Sequence, residues 1–400
     1  MIYFDFKGCL KQFYHSVFKA KNTNYRLSRR RIFFLIGYYL IFPFFEFLVR
    51  IGFILDNFFF PSYKKQEIKA PVFIIGNFRS GTTFLLHILA RDKQNFAHFD
   101  MWEIYFAPSI TQRKLIQAFI FYDSLIGSPI TRLFKYFEKK VFGDIDIHKV
   151  RYDEPEEDEG LFLHIWSSLF TWFVFPIKGS EKDYIYFDEY MKPSEKKRIM
   201  DYYKNCIQRH LYAHGGNKIY LAKNPSSTPK IKTLLEYYPD ARFIYLARNP
   251  LKMLPSELTL ATVSMVGFNS PIEQDQIKQM VYEMTRHWYL YPLDTLRNLP
   301  ENQKIILRFN ELVSNPEQII KKIYKVFNLK MSKYFSHYVH VTGEKSKNFK
   351  SKNTFSLSTF SITREEVLEK YKEVFDIFHF KPQSPEQKAN NQDKLYLHQY

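Results

Sequence analysis

Residues 71–89, PVFIIGNFRSGTTFLLHIL, constrain the fold more than any other stretch of this chain. The run 71–75 is apolar and β-rich, Gly76 and Gly81 permit a close turn, and Phe84, Leu85, Ile88 and Leu89 recur at helical spacing. A buried strand that turns through a tight loop into a helix aims free backbone N–H groups at an anion, with the positive end of the helix dipole behind them. The glycine spacing is that of a nucleotide-phosphate loop, yet Thr82 stands where a nucleoside triphosphatase would carry its lysine. The cation is Arg79, inside the loop, and its planar fork suits a pair of phosphate or sulfate oxygens. The stretch therefore reads as an anion site without triphosphate machinery. The alternative, an ordinary strand-to-helix corner with chance glycines, leaves Arg-Ser-Gly-Thr-Thr unexplained.

A formal net charge of +17 over 400 residues predicts attraction to anions, whether nucleotides, nucleic acid or an acidic membrane face, and does not choose among them. Cys9 and Cys206 make no disulfide framework and no zinc-site spacing, which fits a reducing compartment. The one near match to a glycosylation acceptor, Asn224-Pro225-Ser226, carries the excluded proline, so a cytoplasmic location is favoured over a Golgi lumen.

The first thirty residues are basic, and residues 32–60 are dominated by Phe, Ile, Leu and Tyr. Pro43, Glu46, Arg50, Asp56 and Asn57 interrupt this run, leaving no unbroken apolar span of about twenty residues. Three readings stay open: a helix lying in the bilayer interface, a poor transmembrane helix, or a hydrophobic hairpin packed on the core. Residues 1–65 are thus expected to be a membrane-associating segment, 66–380 the main domain, and 381–400 a disordered tail.

Within the main domain, short strands are expected at 71–75, 96–101, 218–222, 242–247 and 304–308. Helices between them make parallel crossovers the expected connection, giving an α/β fold with a P-loop-type parallel sheet flanked by helices. Residues 112–142 have helical spacing and are expected to cap the site or shape a pocket. The acidic stretch HKVRYDEPEEDE, 148–159, is expected to lead into a long apolar helix over 160–173. A basic, Ser- and Asn-rich segment follows Lys330, read as a solvated tail or an anion clamp, and a last amphipathic helix covers 363–378.

IGNFRSGTTFLLHIL, AKNP and FIYLARNPLKMLPS together resemble the sulfotransferases that use 3′-phosphoadenosine 5′-phosphosulfate, in particular the bacterial-type and Golgi-type P-loop group. The resemblance covers roughly residues 70–380. It implies that Arg79, Ser80, Gly81, Thr82 and Thr83 grip the 5′-phosphosulfate, that Arg248 and Ser256 hold the 3′-phosphate, and that Lys223 contacts the transferring sulfuryl group. Lys350 and Lys352 become candidates for a late loop over the 3′-phosphate, although Ser361 stands where that loop usually has glycine. No metal is implied.

The general base is less directly given. Soluble members of the family place a histidine two residues after the lysine, a position that Pro225 occupies here. Glu103 has the placement of the base in carboxylate-using members and is the first choice; His148, with a suitable unperturbed pKa, and Glu157 are its rivals. The expected activity is sulfuryl transfer to the hydroxyl of an apolar acceptor, a lipid, steroid or phenol, with peripheral membrane contact and no nucleic-acid partner. A carbohydrate acceptor is the alternative within the family. A nucleotide kinase would need a lysine at Thr82 and an acidic magnesium ligand at a strand end, and an inactive membrane-associated binding protein is the remaining alternative.

Overall fold

The computed structural model describes residues 3–21, 26–142, 151–268, 270, 273–347 and 356–382. Five parallel strands, β1 (Val72–Ile75), β2 (Phe96–Ala97), β3 (Ile219–Lys223), β4 (Arg242–Ala247) and β5 (Lys304–Arg308), lie in the order β2-β3-β1-β4-β5. Phe73 of the central strand pairs in register with Ala222 of β3 on one side and Phe243 of β4 on the other. Alternate side chains feed two cores: Phe73, Ile75, Phe243 and Tyr245 face one, and Val72, Ile74, Ile244 and Leu246 the other. A sheet covered on both faces needs such near-continuous apolar strands. The chain leaves β1 for β2 and β3 on one side and returns to β4 on the other, so the strand order reverses at β1. The crevice outside the carboxyl ends of β1, β3 and β4 is where an open α/β sheet binds ligands.

The amino-terminal region takes the helical form of two of the three readings, and not the hairpin. After α1 (Phe6–Phe18), α2 (Arg29–Phe59) is one continuous helix of 31 residues with Pro43 inside it. By length and composition it is long and apolar enough to cross a membrane. The charges that interrupt its apolar run lie on the face turned to the domain. Arg31 donates to Val174 O at 2.5 Å and to Ser270 Oγ at 3.0 Å, Glu46 pairs with His164 Nδ1 at 2.5 Å, and Arg50 donates to His164 O at 2.9 Å. The opposite face presents Phe33, Leu40, Phe44, Phe47 and Phe58 to solvent.

Asp56 is the strongest of these pins. Its buried carboxylate accepts from Arg209 Nε at 2.9 Å and from the backbone N–H groups of Ile110 and Thr111 at 2.9 and 2.8 Å. It thereby satisfies two donors that would be orphaned at the start of a helix. Removing the carboxylate leaves a buried guanidinium without its counter-charge. Asp56→Ala should therefore cost about 3–5 kcal/mol of stability, read as a lowered urea midpoint at unchanged slope.

Helix α3 (Thr82–Leu89) follows the loop after β1, and α4 (Met101–Tyr105) follows β2. Beyond them, α5 (Ile110–Leu125) packs along α2 and leads to α6 (Pro129–Phe142). Leu115, Phe119, Phe121 and Leu125 of α5 are exposed, extending the apolar face of α2.

Three helical expectations are corrected. Residues 160–173 form no single helix: a 3-10 segment, Asp158–Ile165, ends at Trp166 in the left-handed region at φ +56°, and a short helix, Phe170–Val174, follows. The final helix is two, Arg364–Lys370 and Lys372–Phe378. Part of the segment read as a tail, Lys333–Lys347, is helical. Of the tail expected at 381–400, residues 383–400 lie outside the described residues.

Candidate functional site

The loop after β1 needs both of its glycines. Gly76 sits at φ +138°, and a Cβ there would lie 2.3 Å from the carbonyl oxygen of Leu246. Gly81 sits at φ +88°, with Phe309 2.5 Å from where its Cβ would be. Only glycine allows so close an approach of loop to sheet. Thr228 fixes the start of the loop, accepting from Gly76 N at 2.9 Å and donating to Gly76 O at 3.1 Å. Arg79, at φ +59°, forms the crest, and Thr82 and Thr83 open α3. Ser80 is fully buried and its Oγ meets no partner among the described residues.

Arg79, Arg248 and Ser256 come together here. Arg79 Nε donates to Ser256 Oγ at 2.9 Å, and Arg248 Nη1 donates to the Arg79 carbonyl at 2.7 Å. Arg248 leaves the end of β4 and lies over the Phe309 ring at 4.4 Å, while Pro250 starts the helix Pro250–Gly267 that presents Ser256. Burial lowers both guanidinium pKa values, and the Arg79 charge lowers that of Arg248 further. Two partly buried like charges beside a loop with an unpartnered hydroxyl match a multiply charged anion. The residues present fit a ligand that carries more than one phosphate- or sulfate-type group.

Lys223, at the end of β3, is fully buried, donates to Glu157 and lies 3.9 Å from Glu156. The loop bearing these glutamates is strapped to the segment after β2: Met101 N donates to Glu154 O at 3.0 Å, and Glu156 N to Phe99 O at 3.2 Å. The acidic stretch thus divides by role. Glu157 and Glu156 face Lys223. Glu159 is structural, joined to Lys230 at 3.1 Å, Asn224 at 3.0 Å and Ser168 at 2.9 Å, and Asp158 is held by the hydroxyls of Tyr203 and Tyr220.

Glu103, the first choice for the base, is placed in other company than Glu157. Its Oε2 accepts from Asp100 N at 2.9 Å in a capping box, and its Oε1 lies 3.5 Å from Arg113 Nε. Arg113 also donates to Ala107 O and lies 2.9 Å from His210 Nδ1. Glu103, His210 and His214 have the grouping of metal ligands, but the Arg113 guanidinium sits among them and already supplies a positive charge. His148, Lys350 and Lys352 lie outside the described residues. Ser361 takes φ +53°, so the residue standing in for glycine keeps the left-handed conformation that glycine would favour.

Two titratable groups close to these residues were not singled out from the sequence. His87 lies one helical turn beyond Thr83, a spacing that could have revealed it. Burial lowers its pKa, the carboxylate of Glu154 opposes this, and Lys223 lowers it further, so the imidazole shares the Lys223 neighbourhood. Glu257 follows Ser256 directly, and no pattern marked it as inward. It is 3% exposed, and its Oε2 has no partner among the described residues. Burial raises its pKa to about 8; Arg79 pulls it down and Glu157 pushes it up.

Glu257 gives a signed pH dependence. Below the ordinary value of 4.5 the carboxyl is protonated in both folded and unfolded chains, and its contribution is fully present. As pH rises toward about 8 the folded protein keeps a proton that the unfolded chain has released, so stability is lost. The Tm advantage of Glu257→Gln over the natural protein should grow between about pH 5 and about pH 9. A constant difference across that range would show that Glu257 titrates normally.

Fold and site define a P-loop α/β protein whose anion site carries arginines in place of the triphosphatase lysine. Residues 71–333 match the sulfotransferase family, and the chain belongs to that family. Over 282 residues it is 23% identical to the omega-hydroxy-beta-dihydromenaquinone-9 sulfotransferase Stf3 of Mycobacterium bovis and to that of Mycobacterium tuberculosis. The aligned part is 65% of this chain and 63% of each relative, so the match spans less than two thirds of their length. In fold it is similar to the sulfotransferase STF1 of Mycobacterium tuberculosis, with a TM-score of 0.68 at 18% identity over 92% of this chain and 91% of that one. It is similar also to STF9 of Mycobacterium avium, with a TM-score of 0.64 at 17% identity over 81% of each chain.

Proposed function

We propose that this protein transfers a sulfuryl group from 3′-phosphoadenosine 5′-phosphosulfate to the hydroxyl of a lipid-like alcohol. The observation that carries the reading is the convergence of Arg79, Ser256 and Arg248 on one side of the loop with the buried Lys223–Glu157 pair nearby. When bound, the nucleotide supplies the sulfuryl group and a bisphosphate leaving group. Arg79 and the loop N–H groups stabilise charge that develops on the sulfuryl and bridging oxygens. Arg248 and Ser256 hold the 3′-phosphate. Lys223 turns from Glu157 toward the same oxygens, and the released Glu157 carboxylate takes the hydroxyl proton as the new S–O bond forms.

Glu157 is preferred to Glu103 because it faces Lys223, whereas Glu103 is held by its own helix cap and by Arg113. The acceptor class is supported by the relatives that sulfate a hydroxylated menaquinone and by the apolar outer face of α2. Because α2 is pinned to the domain from Arg31 to Asp56, we place it flat on the cytoplasmic face of a membrane, its outer face in the interface. The purified protein with sulfur-labelled donor should label long-chain alcohols in vesicles. Label entering only oligosaccharides would move the acceptor to carbohydrate, and label entering nothing would overturn the reading.

A further inference from the structure

A groove of about 550 Å³ runs between α2 and the segments that follow β2 and the acidic loop. Phe34, Gly37, Tyr38 and Ile41 of α2 form one wall, and Tyr105 and Leu163 lie on the other. Its outer end, at Phe33, opens on the exposed apolar face of α2. Tyr105 of its lining packs its ring on Gly160, three residues beyond Glu157: a Cβ at Gly160 would lie 2.8 Å from Tyr105 Cζ. The Tyr105 phenol is held above its ordinary range by burial and then by the carboxylates of Glu156, Glu157 and Glu159, so this wall of the groove lies within their field.

From this geometry we infer that the groove holds the hydrocarbon chain of the acceptor, a prenyl or acyl alcohol that slides in from the bilayer and presents its terminal hydroxyl to Glu157. The inference rests on the sulfuryl-transfer reading above and adds the acceptor's route and shape. Residues 33 to 46 of α2 line it over a rise of roughly 20 Å, which calls for a long, thin occupant. Apart from Glu46 and His164, which are paired with each other, the named lining is aromatic or aliphatic, so most backbone N–H and C=O groups of a peptide would go unsatisfied, whereas a prenyl chain brings none. Continuity with the apolar outer face of α2 lets such a chain enter without crossing water.

Gly37 offers a clean test, because a Cβ there meets nothing within 4 Å among the described residues, so a side chain can start into the groove without an immediate clash. Replacing a helical glycine also favours the helix. The ring of Trp166 lies 5.1 Å from that of Phe42, which lines the groove, so a brominated long-chain alcohol should quench tryptophan emission saturably. Gly37→Phe should abolish that quenching and raise the KM for geranylgeraniol at least about tenfold, with kcat/KM for the short alcohol prenol within about twofold; Gly37→Ala should behave as the natural protein. Quenching and KM unchanged in Gly37→Phe would overturn the groove. Quenching lost in Gly37→Phe while the natural protein sulfates neither alcohol would uphold the groove and sink the sulfuryl-transfer reading instead. Loss of a dimer in Gly37→Phe, with no alcohol quenching the natural protein, would assign the groove to a protein partner and overturn the lipid occupant.

Discussion

Arg79→Ala is expected to lower kcat/KM for sulfuryl transfer by roughly 10²–10³-fold, the usual effect of removing one preorganised group from the site of developing charge. Arg79 holds the crest of the loop, donates to Ser256 and supports Arg248 through its carbonyl. The variant keeps that backbone carbonyl and loses only the guanidinium. It also relieves the repulsion between two partly buried cations, so its melting temperature should stay close to that of the natural protein. Activity should collapse while the fold persists. Arg79→Lys should recover only part of the rate, because an ammonium restores the charge but not the fork that engages two oxygens. A fully active Arg79→Ala would remove the loop from the mechanism.

The second large effect separates two glutamates. Glu157→Gln should lower kcat by roughly 10²–10⁴-fold, the range for loss of a general base, with affinity for adenosine 3′,5′-bisphosphate within about twofold. Lys223→Ala should also slow the reaction, and the double variant should lose less than the product of the two, because the residues act as one pair. Glu103→Gln should behave in the opposite way. It leaves the buried Arg113 short of its counter-charge, so stability falls while each folded molecule keeps most of its rate. If Glu103→Gln proves stable and inactive while Glu157→Gln turns over normally, the base is Glu103 and the assignment made here is reversed.

The sheet was legible because its strands are short apolar runs bounded by turn residues, and the phosphate loop because its glycines and Arg79 stand in a pattern with few other uses. The convergence of Arg248 and Ser256 on Arg79 could be expected only through the family resemblance, since 169 and 177 residues separate them from it. The surroundings of Glu103 were not legible because its buried partners lie elsewhere in the chain: Arg113 ten residues on and His210 on the distant helix Pro193–Ala213. Spacing within one segment carries no trace of them. The same holds for α2. Glu46, Arg50 and Asp56 read in sequence as interruptions of an apolar span, yet their partners His164 and Arg209 turn them into attachments of a continuous helix to the domain.

The most direct test of the account is a calorimetric titration with adenosine 3′,5′-bisphosphate set against adenosine 5′-monophosphate. If Arg248 and Ser256 read a 3′-phosphate, the bisphosphate should bind roughly 10²-fold more tightly, and Arg248→Ala should erase most of that difference, as expected for charge-assisted hydrogen bonds to one phosphate. Equal affinity for the two nucleotides, or no binding of the bisphosphate by the natural protein, would contradict the assignment of this loop and its arginines to a sulfuryl donor.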